Sequence, residues 1–168
     1  MKYLVLSSIL FISWFPMQSC KTNDARDFVN KHHNDDFNQF ANTGFILRTF
    51  DEGNPVVFVS TNLANAYNQG PYIITVDAKD KSIIKENKTL MGHDSSFVNR
   101  DEIMGLTNKF LNYEIRWLSV DTIGNVFIGL SNIEKPDLIR FSNLRYKTEE
   151  YSDWKHIQDM WYSLHNAQ

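Results

Sequence analysis

The clearest fold signal in the chain is the stretch Ile115-Arg116-Trp117-Leu118-Ser119-Val120-Asp121-Thr122-Ile123-Gly124-Asn125-Val126-Phe127-Ile128-Gly129-Leu130. It contains two runs rich in β-branched and aromatic residues, Ile115 to Val120 and Asn125 to Leu130. Between them, the segment from Asp121 to Asn125 has the composition of a tight turn. This arrangement predicts a β-hairpin.

The first of these strands is partly apolar on both sides. Because side chains alternate along a strand, Trp117 lies on the same side as Ile115 and Ser119, whereas Leu118 and Val120 lie on the other side. A single hydrophobic core packs against only one face of a sheet. We therefore expect one face of this strand to be open to a partner.

Further β-rich runs extend the hairpin into a sheet. Upstream, a turn joins Phe45 to Phe50 with Val56 to Ser60, and a second turn joins Tyr72 to Val76 with Ser82 to Glu86. Downstream, Leu138 to Phe141 adds one more strand. The sequence thus predicts seven strands, six of them in three hairpins.

Three helical segments are predicted around these strands. Residues 26–41 form a helix with a break near 33–36, because the apolar residues of this segment do not form one stripe. Asn99 and Glu102 have the spacing of a capping box that begins a second helix, which ends at Asn112. A third helix begins at Ser152, where apolar residues recur at helical spacing, namely Trp154, Ile157, Trp161 and Leu164.

The order of elements lacks a regular alternation of strands and helices. It predicts an α+β fold, in which a mostly antiparallel sheet is packed with a few helices, including a C-terminal amphipathic helix. An alternative comes from Trp117 to Leu130, which resembles one β-propeller repeat, in which an Asp and a Gly-Asn turn the hairpin of a blade. That resemblance implies an all-β, propeller-like fragment.

The N-terminus has the three parts of a secretory signal. Lys2 supplies the charged start, an apolar run extends from Leu4 to Phe15, and Ser19 is the small residue before a cleavage site. Cys20, the single cysteine of the chain, follows at once. The apolar run is shorter than the roughly 20 residues that a membrane-spanning helix needs.

These first 20 residues resemble the precursors of bacterial lipoproteins. Met17 and Gln18 stand where that class usually has Leu and a smaller residue. The resemblance implies that Cys20 becomes the acylated N-terminus of a protein anchored by lipid in the bacterial cell envelope, at the outer membrane or the cell surface. Residues 1–19 are then the signal peptide, 20–25 a tether and 26–168 a single α+β domain. An ordinary cleaved signal that leaves Cys20 free or buried is the alternative.

Composition limits the class of protein further. Removal of 19 residues from the 168 leaves 149, of which 16 are basic and 20 acidic, so the expected mature chain carries a formal net charge of −4. This acidic balance argues against nucleic acid as a partner. With one cysteine, the chain forms no intrachain disulfide and no cysteine-based zinc site. The 14% of aromatic residues indicates a packed domain rather than disorder.

The densest group of possible metal ligands is His32, His33, Asp35 and Asp36. On a helix, His32 and Asp36 are four residues apart and could share one ion. A catalytic zinc usually takes three protein ligands, however, and no third ligand follows at a recognisable spacing. We interpret the group as a solvated polar stretch, and the sequence names no metal or cofactor.

Two kinds of pattern raise the question of catalysis. His93, Asp94, Ser95 and Ser96 offer a base, an acid and a nucleophile, but neighbours in one loop rarely adopt the geometry of a triad, so a polar loop is favoured. The paired carboxylates Asp101 with Glu102 and Glu149 with Glu150 need a cleft between them to act on a sugar. His156 and Asp159 are interpreted as a surface pair.

The aromatic residues divide between core and surface. Trp154 and Trp161 are assigned to the core by their spacing, with Tyr162 beside them, and Trp117 is the candidate for contact with a partner. The sequence therefore favours a non-enzymatic binding or interaction module with a protein partner. A small envelope or extracellular hydrolase and a structural subunit of an envelope complex are the alternatives.

Overall fold

The computed structural model describes residues 25–61, 72–87, 100–131 and 133–164. Within these ranges the chain forms one antiparallel sheet of nine strands and two α-helices. The helices are α1 (Ala25–His32) and α2 (Arg100–Asn112). The strands are β1 (Thr43–Asp51), β2 (Asn54–Thr61), β3 (Tyr72–Val76), β4 (Ile83–Asn87), β5 (Trp117–Val120), β6 (Val126–Gly129), β7 (Leu138–Arg140), β8 (Lys155–Gln158) and β9 (Trp161–Ser163).

The strand order is β4-β3-β2-β1-β5-β6-β7-β9-β8, and every neighbouring pair is antiparallel. The prediction of a mostly antiparallel sheet is confirmed, as are the three hairpins β1–β2, β3–β4 and β5–β6. A propeller would divide its strands among separate blades. The nine described strands instead form one continuous ladder, because β1 pairs with both β2 and β5.

A network of side-chain hydrogen bonds fixes the β5–β6 turn. Asp121 Oδ1 accepts from the backbone N–H groups of Ile123 and Asn125, at 3.0 and 2.8 Å, and Oδ2 accepts from Asn125 Nδ2 at 2.9 Å. Gly124 adopts a φ of 85°, which an L side chain rarely tolerates. Asn125 Oδ1 in turn accepts from the backbone N–H of Ser142, so this turn also holds the chain beyond β7.

The first two of the three predicted helical segments are also confirmed. Helix α1 ends at His32, and a 3₁₀ turn follows at Asn38–Phe40, so the predicted break separates them. Asp36 Oδ1 accepts from the backbone N–H of Asn38 at 2.8 Å. Helix α2 occupies the segment predicted for the second helix, although its predicted capping residue, Asn99, lies outside the described residues.

The prediction of a C-terminal helix is wrong, because residues 155–163 form the hairpin β8–β9. The spacing of the apolar residues fits this hairpin as well as a helix. Ile157 and Trp161 pack into one core cluster, whereas Trp154 and Leu164 pack into another. Asp159 turns the hairpin with a φ of 49°, and the backbone of β7 supplies a partner for β9. Pairing with an existing sheet thus overrides a helical pattern.

The main core lies between one face of the sheet and the two helices. The strands contribute buried side chains at alternate positions, and α1, α2 and the 3₁₀ turn pack over them. The core includes Phe28, Val29, Phe40, Phe45, Val57, Val59, Ile74, Val76, Ile103, Phe110, Leu118, Val120, Val126, Ile128, Leu138 and Trp161. We call this side of the sheet the core face and the other side the second face.

A smaller cluster covers one end of the second face. It consists of Ile139, Phe141, Trp154 and Tyr162, with Phe127, Tyr151 and Leu164 packed against them. Three of these aromatics, Phe141, Tyr151 and Trp154, come from the segment between β7 and β8, which contains the 3₁₀ turns Leu144–Tyr146 and Glu149–Tyr151. The segment therefore closes the second face over β6, β7 and β9.

The predicted signal peptide, Cys20 and most of the predicted tether lie outside the described residues. Among the described residues, neither helix has the length and apolar character needed to cross a bilayer.

Phe45 and Phe50 on strand β1 offer a matched test of the core. Phe45 is fully buried, with its ring 5.4 Å from that of Phe110 and 5.5 Å from that of Phe40, whereas Phe50 is 55% exposed. We expect Phe45→Ala to lower the free energy of unfolding by about 3–5 kcal/mol in urea denaturation, because it leaves a cavity. Phe50→Ala should change it by less than about 0.5 kcal/mol. Equal effects of the two substitutions would contradict this assignment of the core.

Candidate functional site

Four apolar side chains form a row across the second face of the sheet. They come from four neighbouring strands, and the register places them directly opposite one another: Ile73 pairs with Phe58, Phe58 with Ile46, and Ile46 with Trp117. Side chains opposite one another in this way have Cβ atoms about 5 Å apart. We call Ile73, Phe58, Ile46 and Trp117 the apolar row.

The apolar row is separate from both buried clusters. Each of its four side chains is half-buried, and none belongs to the clusters that form the core and the covered end of the second face. Their neighbours along the strands, such as Phe45, Val57 and Leu118, are fully or almost fully buried on the core face. The strands are thus apolar on both faces, and the apolar row lies on the face that does not contribute to the described core.

Basic side chains border the apolar row. The Arg48 guanidinium lies over the Phe58 ring, with Cζ 5.3 Å from the ring centroid, and a bulge between Leu47 and Thr49 displaces this part of β1. Lys85 pairs in register with Thr75, which places it on the second face and diagonally next to Ile73. Both basic side chains are exposed.

The apolar row adjoins the covered end of the second face. A parallel line of register partners runs from Gly44 through Ser119 to Phe127, and continues through Ile139 to Tyr162. Phe127, Ile139 and Tyr162 belong to the smaller cluster. The Lys147 Nζ lies 4.3 Å from the Tyr162 ring centroid, so a third basic group borders this face.

The possible metal ligands near the end of α1 bond to one another and to the backbone. His32 Nδ1 lies 2.8 Å from Asp35 Oδ2. The ring of His33 bonds locally, with Nδ1 3.2 Å from the carbonyl oxygen of Asn30, and Asp36 bonds to the backbone of Asn38. In the described ranges, no three His, Cys, Asp or Glu side chains are grouped in a way that could hold a metal ion.

The buried His32 belongs to a group that fastens α1 to the sheet. Its ring lies 4.6 Å from that of Phe28 and 5.0 Å from that of Tyr113. Arg140 of β7 donates from Nη1 to the backbone oxygen of Asp35 at 2.8 Å. Burial and the negative charge of Asp35, which also bonds to the phenol, raise the pKa of Tyr113 to about 12. The Asp35 carboxylate thus engages both His32 and Tyr113, an arrangement that suits a structural contact.

Among the described residues, the other candidate groups lie on separate elements of the fold. His93, Asp94, Ser95 and Ser96 lie outside the described residues. Two pairs of carboxylates are exposed in helical first turns, Asp101 with Glu102 in α2 and Glu149 with Glu150 in the second 3₁₀ turn beyond β7. His156 and Asp159 are exposed as predicted, but in the β8–β9 hairpin, where His156 Nε2 lies 2.8 Å from the backbone oxygen of Asp159.

The tryptophans confirm part of the sequence analysis. Trp154 and Trp161 are buried, but on opposite faces of the sheet. Trp117 lies on the second face, and its partners Ile46, Phe58 and Ile73 were not predicted from the sequence. The signal that could have found them is the run of consecutive apolar residues in β1, β2 and β3.

Comparisons of the chain with protein-family models, with curated proteins and with solved structures find no match.

The raised pKa of Tyr113 predicts a loss of stability at high pH. Burial and Asp35 raise this pKa from 10.0 to about 12, so the folded state keeps a proton that the unfolded chain releases. The stabilising contribution is fully present below about pH 10 and is lost between about pH 10 and 12. We expect the free energy of unfolding to fall less between these limits in Tyr113→Phe than in the parent protein, as measured by urea denaturation. An equal fall in both proteins would contradict the assignment.

Proposed function

We propose that this protein is a lipid-anchored binding module of the bacterial cell envelope, which holds a protein partner on the second face of its sheet. The observation that supports binding is the apolar row, four half-buried side chains that belong to neither buried cluster. Clustered apolar surface on a folded protein is typical of interaction sites. A protein partner would bury the row and remove it from water.

Trp117 is the residue we expect to contribute most to this binding. It lies at one end of the apolar row and is flanked by Ile46 in register. Tryptophan is enriched among the residues that dominate binding energy, because it buries a large apolar area and loses little conformational freedom. The strands on which the row is built are hydrogen-bonded on both sides, so the surface is held rigid before a partner arrives.

The pattern at the N-terminus supports the proposed location. Cys20 follows a signal-like segment, and the resemblance to lipoprotein precursors implies a diacylglycerol and a further acyl chain, such as palmitate, at this residue. Each buried methylene contributes about 0.8 kcal/mol, so two or more chains attach a protein stably to a membrane. The short polar segment that follows would leave the folded part free to meet a partner at the membrane surface.

Binding rather than catalysis is favoured by the way the described ionisable groups are used. The histidine and tyrosine near the end of α1 contact one carboxylate, which is itself part of the attachment of α1 to the sheet. The apolar row contains no acid, base or nucleophile. These features suit recognition of a surface better than transformation of a substrate.

Mass spectrometry tests the proposed anchor. We expect the protein in washed membranes to begin at Cys20 and to carry the added mass of its lipid chains. Cys20→Ala should lose this mass and the attachment, whereas Ser19→Ala, which keeps a small residue before the cysteine, should retain both. Recovery of an unmodified, soluble mature chain from the parent strain would contradict the anchor.

Capture of a partner from cross-linked envelopes tests the proposed surface. We expect the parent protein to recover a specific protein repeatedly, and Trp117→Ala to reduce its recovery about tenfold or more, because a large aromatic anchor is lost. Tyr146→Ala is the matched control, since Tyr146 is 41% exposed but lies in the segment beyond β7. The same reduction in both variants, or no specific partner, would contradict the proposal. Recovery at a fixed stoichiometry in one assembly would instead favour a structural subunit.

A further inference from the structure

The charges next to the apolar row are positive. Arg48 lies over Phe58, and Lys85 lies diagonally next to Ile73 on the same face. Both side chains are exposed, and neither forms an ion pair with a carboxylate in the described parts of the chain. Their charges are therefore available to a partner that lies on the row.

The described acidic residues on this face include Asp51, Asp77 and Asp137, and each stands apart from the row or is already engaged. Asp77 lies two residues beyond Thr75, and its Oδ1 accepts from the backbone N–H groups of Lys79 and Asp80, at 2.7 and 3.2 Å. Asp51 is at the tip of the β1–β2 hairpin, five residues from Ile46, which corresponds to about 16 Å along a strand. Asp137 precedes β7, and its Oδ2 accepts from the backbone N–H groups of Leu130 and Ser131, at 2.7 and 3.3 Å. Among the described residues, the charged side chains next to the row are thus basic.

This local charge is opposite to that of the chain as a whole. The expected mature chain has 16 basic and 20 acidic side chains, so its formal net charge is negative. The positive charges next to the apolar row are therefore segregated from the negative charges that predominate in the chain as a whole. Such separation favours a partner of complementary charge and speeds its association.

From the register and the charges together, and resting on the proposed function, we infer that the partner docks through an acidic segment. This segment presents Asp or Glu side chains on the same face as apolar ones. The apolar side chains lie on Ile73, Phe58, Ile46 and Trp117, and the carboxylates reach Arg48 and Lys85. The Arg48 guanidinium is already held by the Phe58 ring, which reduces the conformational freedom lost when it binds a carboxylate.

A polypeptide fits the row better than an anionic glycan does. Three of the four side chains, Ile73, Phe58 and Ile46, carry no polar atom, and the fourth offers only the indole N–H. Sugar hydroxyls would lose hydrogen bonds to water on such a surface without replacing them. A second copy of this chain is disfavoured, because it would bring two basic borders together.

Peptide binding tests the inference on the acylated protein in nanodiscs of zwitterionic lipid, with empty nanodiscs as the blank. The probes are two peptides of about twelve residues that combine Leu and Phe with either Glu or Lys on one face. We expect the Glu peptide to bind at least about tenfold more tightly than the Lys peptide, and to bind more weakly as salt rises from about 50 to 500 mM.

Matched variants then assign the charge preference to residues. Arg48→Glu combined with Lys85→Glu should weaken binding of the Glu peptide about tenfold, and the milder pair Arg48→Gln and Lys85→Gln should weaken it about threefold. Lys31→Glu makes the same type of charge change on α1, which packs on the core face, and should alter binding by less than about twofold. Equal binding of the two peptides, or no binding of either, would overturn the inference.

Further measurements distinguish an acidic segment from other occupants of the row. They also distinguish failure of this inference from failure of the proposed binding function. Heparin binding that depends on Arg48 and Lys85, in place of peptide binding, would overturn the inference in favour of a glycan. A dimer that Trp117→Ala dissociates would overturn it in favour of a second copy. Capture of the envelope partner could be lost in Trp117→Ala but retained in the variant that combines Arg48→Glu and Lys85→Glu. That result would support the proposed binding function and overturn the inference that the partner docks through an acidic segment. If no partner is captured by the parent, the binding function itself fails.

Discussion

The whole sheet depends on the pairing of β1 with β5. Four residue pairs, from Thr43 with Val120 to Ile46 with Trp117, join the strands before α2 to those that follow it. The backbone N–H of Leu47 extends this ladder by donating to the carbonyl of Arg116 at 2.8 Å. Because the side-chain period of a strand is two, the same register that directs Phe45 into the core also directs Ile46 and Trp117 to the second face. A slip by one residue would exchange the two faces, so the core and the apolar row are specified together.

The two faces of the sheet are covered differently, and this difference produces the candidate site. The core face receives α1, α2 and the 3₁₀ turn, whose aromatic side chains fill the space above β1, β2 and β5. The second face is covered over β6, β7 and β9 by the segment beyond β7, which the hydrogen bond from Ser142 to Asn125 holds near the β5–β6 turn. Within the described part of the chain, this covering cluster therefore ends at the boundary between β6 and β5. The apolar row lies just beyond that boundary.

Local chemistry could be predicted from the sequence, whereas long-range pairing could not. The turn at Asp121 to Asn125 was predictable, because its side chains bond to its own backbone and Gly124 supplies the positive φ. The spacing of Trp154, Ile157, Trp161 and Leu164 was misleading, since it satisfies a helical stripe and also a hairpin with a register shift at His156. The contact of His32 with Asp35 rather than Asp36 depends on how α1 ends. Trp117 could be proposed as a surface residue, but its three companions come from strands whose order no local pattern reveals.

The position of the apolar row also bears on what can use it. Edge strands can be shielded by charges or by short length, but β1, β2, β3 and β5 are interior strands whose backbone groups are already paired on both sides. A partner therefore cannot join this part of the sheet by adding a strand, and any contact must be made through side chains. Side-chain contact on the face of a sheet depends on shape and on the charges at the border of the contact. Arg48 and Lys85 supply that charge, and their placement next to the row makes orientation of the partner, rather than mere adhesion, the expected consequence of binding.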